Sequence, residues 1–146
     1  MSKSNAFENA LQLLVYNNTN IANIGDATGL RGSSAAGSFY ISLYTADPGE
    51  AGDQTTNEAT YTSYARVAVG RNSGALSVTG NGVTNVAAIT FPAATGGSNV
   101  ITHFGIGTAS SGAGFLLHSG TLTPNLSVSN GITPQIPASG RTQTED

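Results

Sequence analysis

From Phe39 onward, the chain consists of short runs in which apolar and polar residues alternate. In the first run, Phe39, Ile41 and Leu43 alternate with more polar neighbours, which is the period-two pattern of a strand with one buried face. Further runs lie at about residues 64–69, 76–78, 86–91, 100–106, 115–122, 126–129 and 132–136. Gly, Asn and Pro residues separate the runs, as turns require. We therefore expect a mainly β fold over residues 38–139, an antiparallel jelly-roll-like sandwich of about eight strands.

The N-terminal residues 1–17 follow a helical period instead. The apolar residues that recur at helical spacing are Phe7, Ala10, Leu11, Leu14 and Val15. Asn5 and Glu8 have the spacing of a capping box, and Asn17-Asn18 favours a stop. This pattern predicts one helix with an apolar face. That face must pack on its own domain or on a partner subunit, and its own domain is favoured because tertiary packing stabilises most short helices.

Residues 18–37 and 140–146 show neither the two-residue period of a strand nor the spacing of a helix. The first segment is rich in Gly, Ser and Ala, a composition typical of a linker or of an extended arm that crosses a neighbouring subunit. The second is a polar tail, either free or bound along a sheet edge. We therefore divide the chain into a helix, an arm or linker, a β-sandwich domain and a tail.

Few residues of this chain are charged. It has 5 Lys and Arg and 8 Asp and Glu in 146 residues, whereas about a quarter of an average domain is charged. Because charges normally keep a free protein soluble, this surface favours a subunit of an assembly, where buried unpaired charges are costly. The net charge of −3 and the scattered cations argue against nucleic acid. No apolar stretch predicts a membrane span or a signal peptide.

These observations predict where the subunit contacts lie. We expect Phe7, Leu11 and Leu14 on the helix, together with Arg31 in the arm, to touch neighbouring subunits. A dimer or trimer of the chain is the expected state. The absence of cysteine excludes disulfides and thiolate metal sites.

Four of the eight acids lie between residues 46 and 60. Asp47, Glu50 and Asp53 are weak candidates for a calcium site, because calcium prefers several oxygen ligands in a loop. The spacing is not that of an EF-hand, so a solvated loop is the favoured interpretation. We expect no metal and no cofactor.

No pattern in the sequence indicates catalysis. His103 and His118 both fall in predicted strands, where structural histidines are more common than a two-histidine metal site. No serine occurs in a nucleophile elbow. Gly105 and Gly107 lie within a strand, where glycine permits close packing or a bulge. We therefore expect a protein that is not an enzyme.

Four tyrosines give an alternative functional interpretation. Tyr40, Tyr44, Tyr61 and Tyr64 could line an exposed patch that binds a host receptor, since exposed aromatic residues mark interfaces. They fit equally well on the outer face of a strand and an adjacent loop. This patch is the candidate site if the protein acts in adsorption.

Five sequence blocks resemble a family of small virion proteins of tailed bacteriophages. They occupy residues 43–52, 57–61, 64–67, 91–97 and 102–107, and the resemblance extends over about three quarters of the chain, from Phe39 to Asp146. It implies a structural protein located in the virion, made in the host cytoplasm. It transfers no catalytic residues.

The resemblance leaves two positions in the virion open. Members are often labelled tail fibre proteins, and small β-rich proteins of similar size act as capsid cement or decoration proteins. A fibre usually shows repeats, heptads or a β-helix, none of which is present here. We therefore expect a cement protein that binds the outside of the head, with the major capsid protein and copies of itself as partners. A tail fibre or tail-tip subunit involved in receptor binding is the alternative.

Overall fold

The computed structural model describes residues 2–144. In this range the chain forms one helix and nine strands: α1 (Asn5–Asn17), β1 (Ser38–Tyr44), β2 (Val67–Gly70), β3 (Leu76–Thr79), β4 (Gly82–Asn85), β5 (Ile89–Thr90), β6 (Ser98–Gly107), β7 (Leu116–Ser129), β8 (Gln135–Ile136) and β9 (Thr142–Thr144). The sheet orders are β2-β1-β6-β7, β3-β4-β9 and β5-β8. The prediction of a mainly β, antiparallel fold with one N-terminal helix is confirmed.

Several strand boundaries differ from the predicted runs. Apart from Phe115, the runs at 115–122 and 126–129 both lie in the strand β7, whose register with β6 shifts between Thr121 and Leu126. The run at 86–91 contributes only the short strand β5. Part of the predicted polar tail forms β9, which pairs antiparallel with β4. Glu145 and Asp146, the last residues of that tail, lie outside the described residues.

The chain divides into two compact units that interleave along the sequence. Unit 1 consists of the described residues of Met1–Ser38, Gly70–Ile89 and Ile136–Asp146. Unit 2 consists of Phe39–Val69 and Thr90–Gln135. The segments 18–37 and 70–89 therefore belong with α1, and the predicted 38–139 domain contributes to both units.

Unit 2 is built around the sheet that contains β1 and β6. Ile41 faces Ile106 and Leu43 faces Phe104 in the antiparallel register. Because successive residues of a strand point to opposite faces, the complete burial of Ile41 and of the adjacent Ser42 shows that both faces of β1 are covered. β1 is therefore an interior strand, while β7 lies at one edge of the sheet.

Unit 1 packs α1 against β3 and β4. Its most buried apolar side chains include Leu76 of β3 and Val83 of β4. The helix begins after the N-cap Ser4, whose hydroxyl accepts a hydrogen bond from the Phe7 amide, so the predicted cap at Asn5 is one residue late. It ends at Asn17 and is capped by Asn18, which has a left-handed conformation with φ of 58°. No helix in residues 2–144 combines the length and apolar character needed to cross a membrane.

Candidate interaction surfaces

The helix α1 packs in unit 1 through a polar face. Glu8, Gln12 and Tyr16, spaced one turn apart, are its buried residues. The Tyr16 hydroxyl lies 2.5 Å from Oε1 of Gln143 on β9. Gln12 donates to the Asn81 carbonyl at 3.4 Å. The buried side of the helix is therefore fixed by hydrogen bonds as well as by the Tyr16 ring.

The predicted apolar contact residues lie outside that buried face. Phe7 is exposed, and Leu11 and Leu14 are half-buried. The sequence favoured packing of the whole apolar face of α1 on its own domain. For Phe7 this prediction is wrong, because its side chain is exposed. This apolar side, which we call the helix stripe (Phe7, Leu11 and Leu14), is left partly open to solvent.

The segment 18–37 folds back on the end of α1. Arg71 donates to the carbonyls of Leu14 and Val15, in the last turn of α1, and to Ser33 in the segment. These bonds satisfy helix carbonyls that have no partner within the helix. An antiparallel bridge between Ile21 and Leu30 closes the loop. Arg31, predicted as a contact residue, lies exposed next to the exposed Leu30.

The acids of the 46–60 loop have separate roles in unit 2. Asp47 accepts a hydrogen bond from the Gly49 amide, and Asp53 accepts from Thr55. The bonds from Thr55 hold the pKa of the Asp53 carboxyl below its ordinary value. Within residues 2–144, no three His, Cys, Asp or Glu side chains come together as a possible metal site.

Asp47 and Glu50 instead line a surface groove of about 270 Å³. The groove lies between the loop after β1 and the first residues of β7. Its lining residues are Asp47, Gly49, Glu50, Gly52, Leu116, Leu117, His118 and Ser119. It is thus an acidic depression with an apolar wall, and Asp53 is not part of it.

Glu58 and Arg66 form the central polar contact of unit 2. The guanidinium binds both carboxylate oxygens, and the Arg66 side chain is only 2% exposed. It also donates to the carbonyls of Gln54, Ala109 and Gly112. The hydrogen bonds to Glu58 raise the pKa of Arg66. One cation therefore joins the loop after β1 to the loop after β6.

Gln54 supports the same loop and was not singled out from the sequence. Its side chain is fully buried, with Oε1 accepting from the Ala109 amide at 2.9 Å. A Cβ atom at Gly107 or Gly114 would collide with it. The close packing predicted at the two glycines of β6 is confirmed. Besides Gly107, a Cβ atom at Gly105 would lie 2.7 Å from Cε2 of Tyr44. Gly107 and Gly114, on either side of the loop after β6, are the sequence feature that could have indicated a buried side chain such as Gln54 at this loop.

The blocks that carry the phage resemblance meet at this network. Glu58 lies in the 57–61 block, Tyr64 and Arg66 lie in the 64–67 block, and Gly107 ends the 102–107 block. The Tyr64 hydroxyl donates to Glu58 at 2.9 Å and accepts from the Leu43 amide at 3.0 Å. These blocks therefore supply residues of the polar network in unit 2.

The predicted tyrosine patch does not form an exposed surface. Tyr44 and Tyr61 are buried in the core, Tyr64 is bound to Glu58, and Tyr40 is half-buried. Burial raises the pKa of Tyr44, Tyr61 and Tyr64 above that of a free phenol. The receptor patch is therefore wrong as predicted, because most of its aromatic area is covered by the protein itself.

The two histidines do not come together. His103 faces Thr121 across β6 and β7, whereas His118 faces Ile106. Because His103 and Ile106 are three residues apart on one strand, their side chains point to opposite faces of the sheet. A two-histidine metal site is thus incompatible with the register.

A buried cation in unit 1 was also missed. Arg141 is 1% exposed, and its Nε and Nη2 atoms have no hydrogen-bond partner in the structure. Its amide donates to Oδ1 of Asn85. Burial lowers the pKa of Arg141. Nothing in the polar sequence around it indicated burial.

Comparison with known proteins bears on the identity of the chain. No curated protein matches it. One family model, described as Podophage GP4 fiber I protein gp80, matches residues 5–144, which include α1 and all nine strands. This match supports the virion protein family that the sequence blocks resemble. The chain belongs to the Podophage GP4 fiber I protein gp80 family, a family of phage virion structural proteins.

Proposed function

We propose that the protein is a structural subunit of a fibre on the virion of a short-tailed phage and that the helix stripe attaches it to a neighbouring subunit. The family description favours the fibre alternative over the capsid cement expected from the sequence. The proposal assigns the protein no catalytic role and no cofactor. Its partners are copies of the chain and a neighbouring virion protein.

The observation that carries the attachment surface is the orientation of α1. A surface helix normally buries its apolar face in its own domain. Here Glu8, Gln12 and Tyr16 are buried, and Phe7 is 39% exposed. Burying an exposed phenylalanine against a partner is favourable by about 1 kcal/mol or more, so the helix stripe gains stability from a neighbour.

The low charge of the chain supports assembly rather than free existence. The sequence holds 66 Ser, Thr, Asn and Gly residues against 5 Lys and Arg and 8 Asp and Glu. Such a surface can be covered by a neighbour without the desolvation cost of charged groups.

Labelling on purified virions tests the location. Antibody or gold label against the protein should appear on fibres projecting from the particle. Label spread evenly over the head at hundreds of copies would reject the fibre and support the cement protein, with the major capsid protein as partner.

Substitutions in the helix stripe test the attachment surface. The double variant Phe7→Ser/Leu11→Ser should fold but be lost from purified particles. Val86→Ser is the matched control, because Val86 is an exposed apolar residue of the same unit, at 46%. Equal incorporation of both variants would reject the helix stripe as the attachment surface.

A further inference from the structure

The groove between the loop after β1 and the first residues of β7 has an acidic side and an apolar side. The acidic side is formed by Asp47 and Glu50, which are both exposed. The apolar side is formed by Leu116 and Leu117, which are both half-buried. None of the described residues that line the groove is Lys or Arg. The groove therefore attracts a cation, and it favours one that also carries an apolar part.

The groove is small, and its acidic side is held in place. Its volume of about 270 Å³ lies below the roughly 300–1,000 Å³ of small-molecule pockets, so it suits a protruding side chain. The Asp47 carboxylate accepts a hydrogen bond from the Gly49 amide, and the Asp47 carbonyl accepts one from Asn57, both at 2.9 Å. A carboxylate has further acceptor sites, so Asp47 can still bind a donor. Such a preformed side lowers the cost of binding.

The cations of the chain itself identify a complementary ligand. All five Lys and Arg residues lie within residues 2–144. Arg66 and Arg71 are bound to groups of their own chain, and Arg141 is buried. Lys3 is half-buried and also has a partner in its own chain. Arg31 is the exposed cation of the five.

Arg31 is presented to solvent by an ordered backbone. The amide and the carbonyl of the preceding Leu30 both pair with Ile21, at 2.9 Å each. The amide of the following Gly32 donates to Oδ1 of Asn20 at 2.8 Å. The chain is therefore fixed on both sides of Arg31 while its side chain remains exposed, so that binding through this side chain orders little additional backbone.

Leu30 and Arg31 match the two sides of the groove. The guanidinium of arginine offers donors in a fork that fits carboxylates, and its methylene stem packs on apolar surface. The neighbouring Leu30 is 42% exposed. Phe115, which directly precedes the apolar side of the groove in the chain, is 69% exposed. An exposed cation with an apolar neighbour thus has its counterpart in an acidic groove with an apolar neighbour.

We propose that Leu30 and Arg31 of one copy dock in the groove of the next copy, with the Arg31 guanidinium bound to Asp47 and Glu50. Leu30 and Arg31 belong to unit 1, and the groove belongs to unit 2. The two surfaces are therefore different, and a contact of this kind repeats from copy to copy to produce a ring or an open filament. The inference deepens the fibre proposal and rests on it.

Carbodiimide cross-linking of the Arg31→Lys variant tests which groups meet. The reagent joins an amine to a nearby carboxylate, and the substitution keeps the positive charge at residue 31. We expect products of dimer mass and above, in which mass spectrometry finds residue 31 linked to Asp47 or Glu50. Adding Asp47→Asn/Glu50→Gln should lower the yield about tenfold or more, because the charge-assisted bonds are lost. Adding Asp53→Asn is the matched control and should leave the yield unchanged, since Asp53 lies in the same loop but outside the groove.

Two cross-linking outcomes would overturn the proposal. Links between residue 31 and the groove that occur only at monomer mass would show that the chain's own segment occupies the groove. Equal yields from the groove variant and the Asp53→Asn control would show that the groove acids are not the binding partners. Circular dichroism confirms that each variant is folded.

Mixing two variants tests whether the contact runs from one copy to the next. Arg31→Gln retains the groove, and Asp47→Asn/Glu50→Gln retains Arg31. In sedimentation velocity at high protein concentration, wild type should form species larger than a dimer, and each variant alone should associate about tenfold more weakly or less. An equal mixture should recover one contact and form dimers that do not lengthen. A mixture that stays monomeric, a wild type that does not exceed a dimer, or association lost on adding EDTA would reject the Arg31 contact.

These tests use the purified full-length protein in solution, so they are independent of where label appears on virions. A rejected Arg31 contact leaves the fibre location to be decided by the labelling. Label on the head, in turn, would reject the fibre and leave the contact between copies measurable in solution.

Discussion

Arg66 holds Glu58 through two nitrogens, with Nε 2.6 Å from Oε1 and Nη2 2.8 Å from Oε2. Nη2 also donates to the carbonyls of Gln54 and Gly112, and Nη1 donates to that of Ala109, so the guanidinium reaches two different loops. The fork geometry of arginine allows these bonds to form together, which the single ammonium of lysine cannot reproduce.

We expect Arg66→Lys to lower the free energy of unfolding by about 2 kcal/mol, because it leaves the half-buried Glu58 carboxylate and several carbonyls poorly paired. Urea unfolding followed by fluorescence measures the change. Arg31→Lys is the control, since Arg31 is exposed, and it should change stability by less than about 0.5 kcal/mol. Similar values for the two variants would show that the ion pair contributes little.

Gly107→Ala should destabilise unit 2 by about 2 kcal/mol, because the added methyl group must displace the buried Gln54 side chain. Thermal unfolding measures the effect. Gly82→Ala in β4 is the comparison, since its Cβ would lie 3.4 Å from the Thr79 carbonyl oxygen, an ordinary contact. An equal loss in both variants would indicate a general cost of replacing strand glycines.

The buried tyrosines predict a loss of stability at alkaline pH. Burial raises the pKa of Tyr44, Tyr61 and Tyr64 in the folded state above the ordinary value of 10.0. Their contribution is therefore fully present below pH 10 and is lost as the pH rises toward the folded-state values. We expect the melting temperature to fall above pH 10, together with cooperative appearance of tyrosinate absorbance. Gradual ionisation of all tyrosines without unfolding would contradict this expectation.

Arg141→Met should raise the free energy of unfolding by about 1–3 kcal/mol, because the thioether removes a buried charge that lacks hydrogen-bond partners at Nε and Nη2. Denaturant unfolding at neutral pH measures the difference. Arg141→Ala provides the volume control, since the cavity left by alanine should offset the gain. A less stable methionine variant would show that the charge is stabilised in the folded protein.

The sequence predicted the elements whose residues follow a clear period. The alternation at Phe39, Ile41 and Leu43 correctly indicated β1, and the helical spacing after Phe7 indicated α1. For the tail that contains β9, the sequence left open whether it is free or bound along a sheet edge, because Thr142–Thr144 is polar and is ordered through its pairing with β4. Periodicity describes a segment by itself and does not report which neighbour it will pair with.

The candidate sites were harder to predict because residue type did not determine burial. Tyr44 and Tyr64 were predicted as exposed binding residues or as residues of a strand face and an adjacent loop. In the structure Tyr44 is buried against Gly105, and Tyr64 is half-buried with its hydroxyl bound to Glu58. Similarly, the apolar spacing of α1 did not reveal that Tyr16 would be its most buried residue. These outcomes depend on tertiary partners far away in the sequence.

The interleaving of the two units limits how this protein can be cut or exchanged. Removing residues 1–37 deletes α1 and the loop folded on it, and it leaves β3 and β4 without the helix that packs on them. Unit 2 in turn is encoded in two pieces separated by residues 70–89. Relatives can therefore exchange unit 2 by recombination only if both pieces move together, so its two segments are expected to share one evolutionary history.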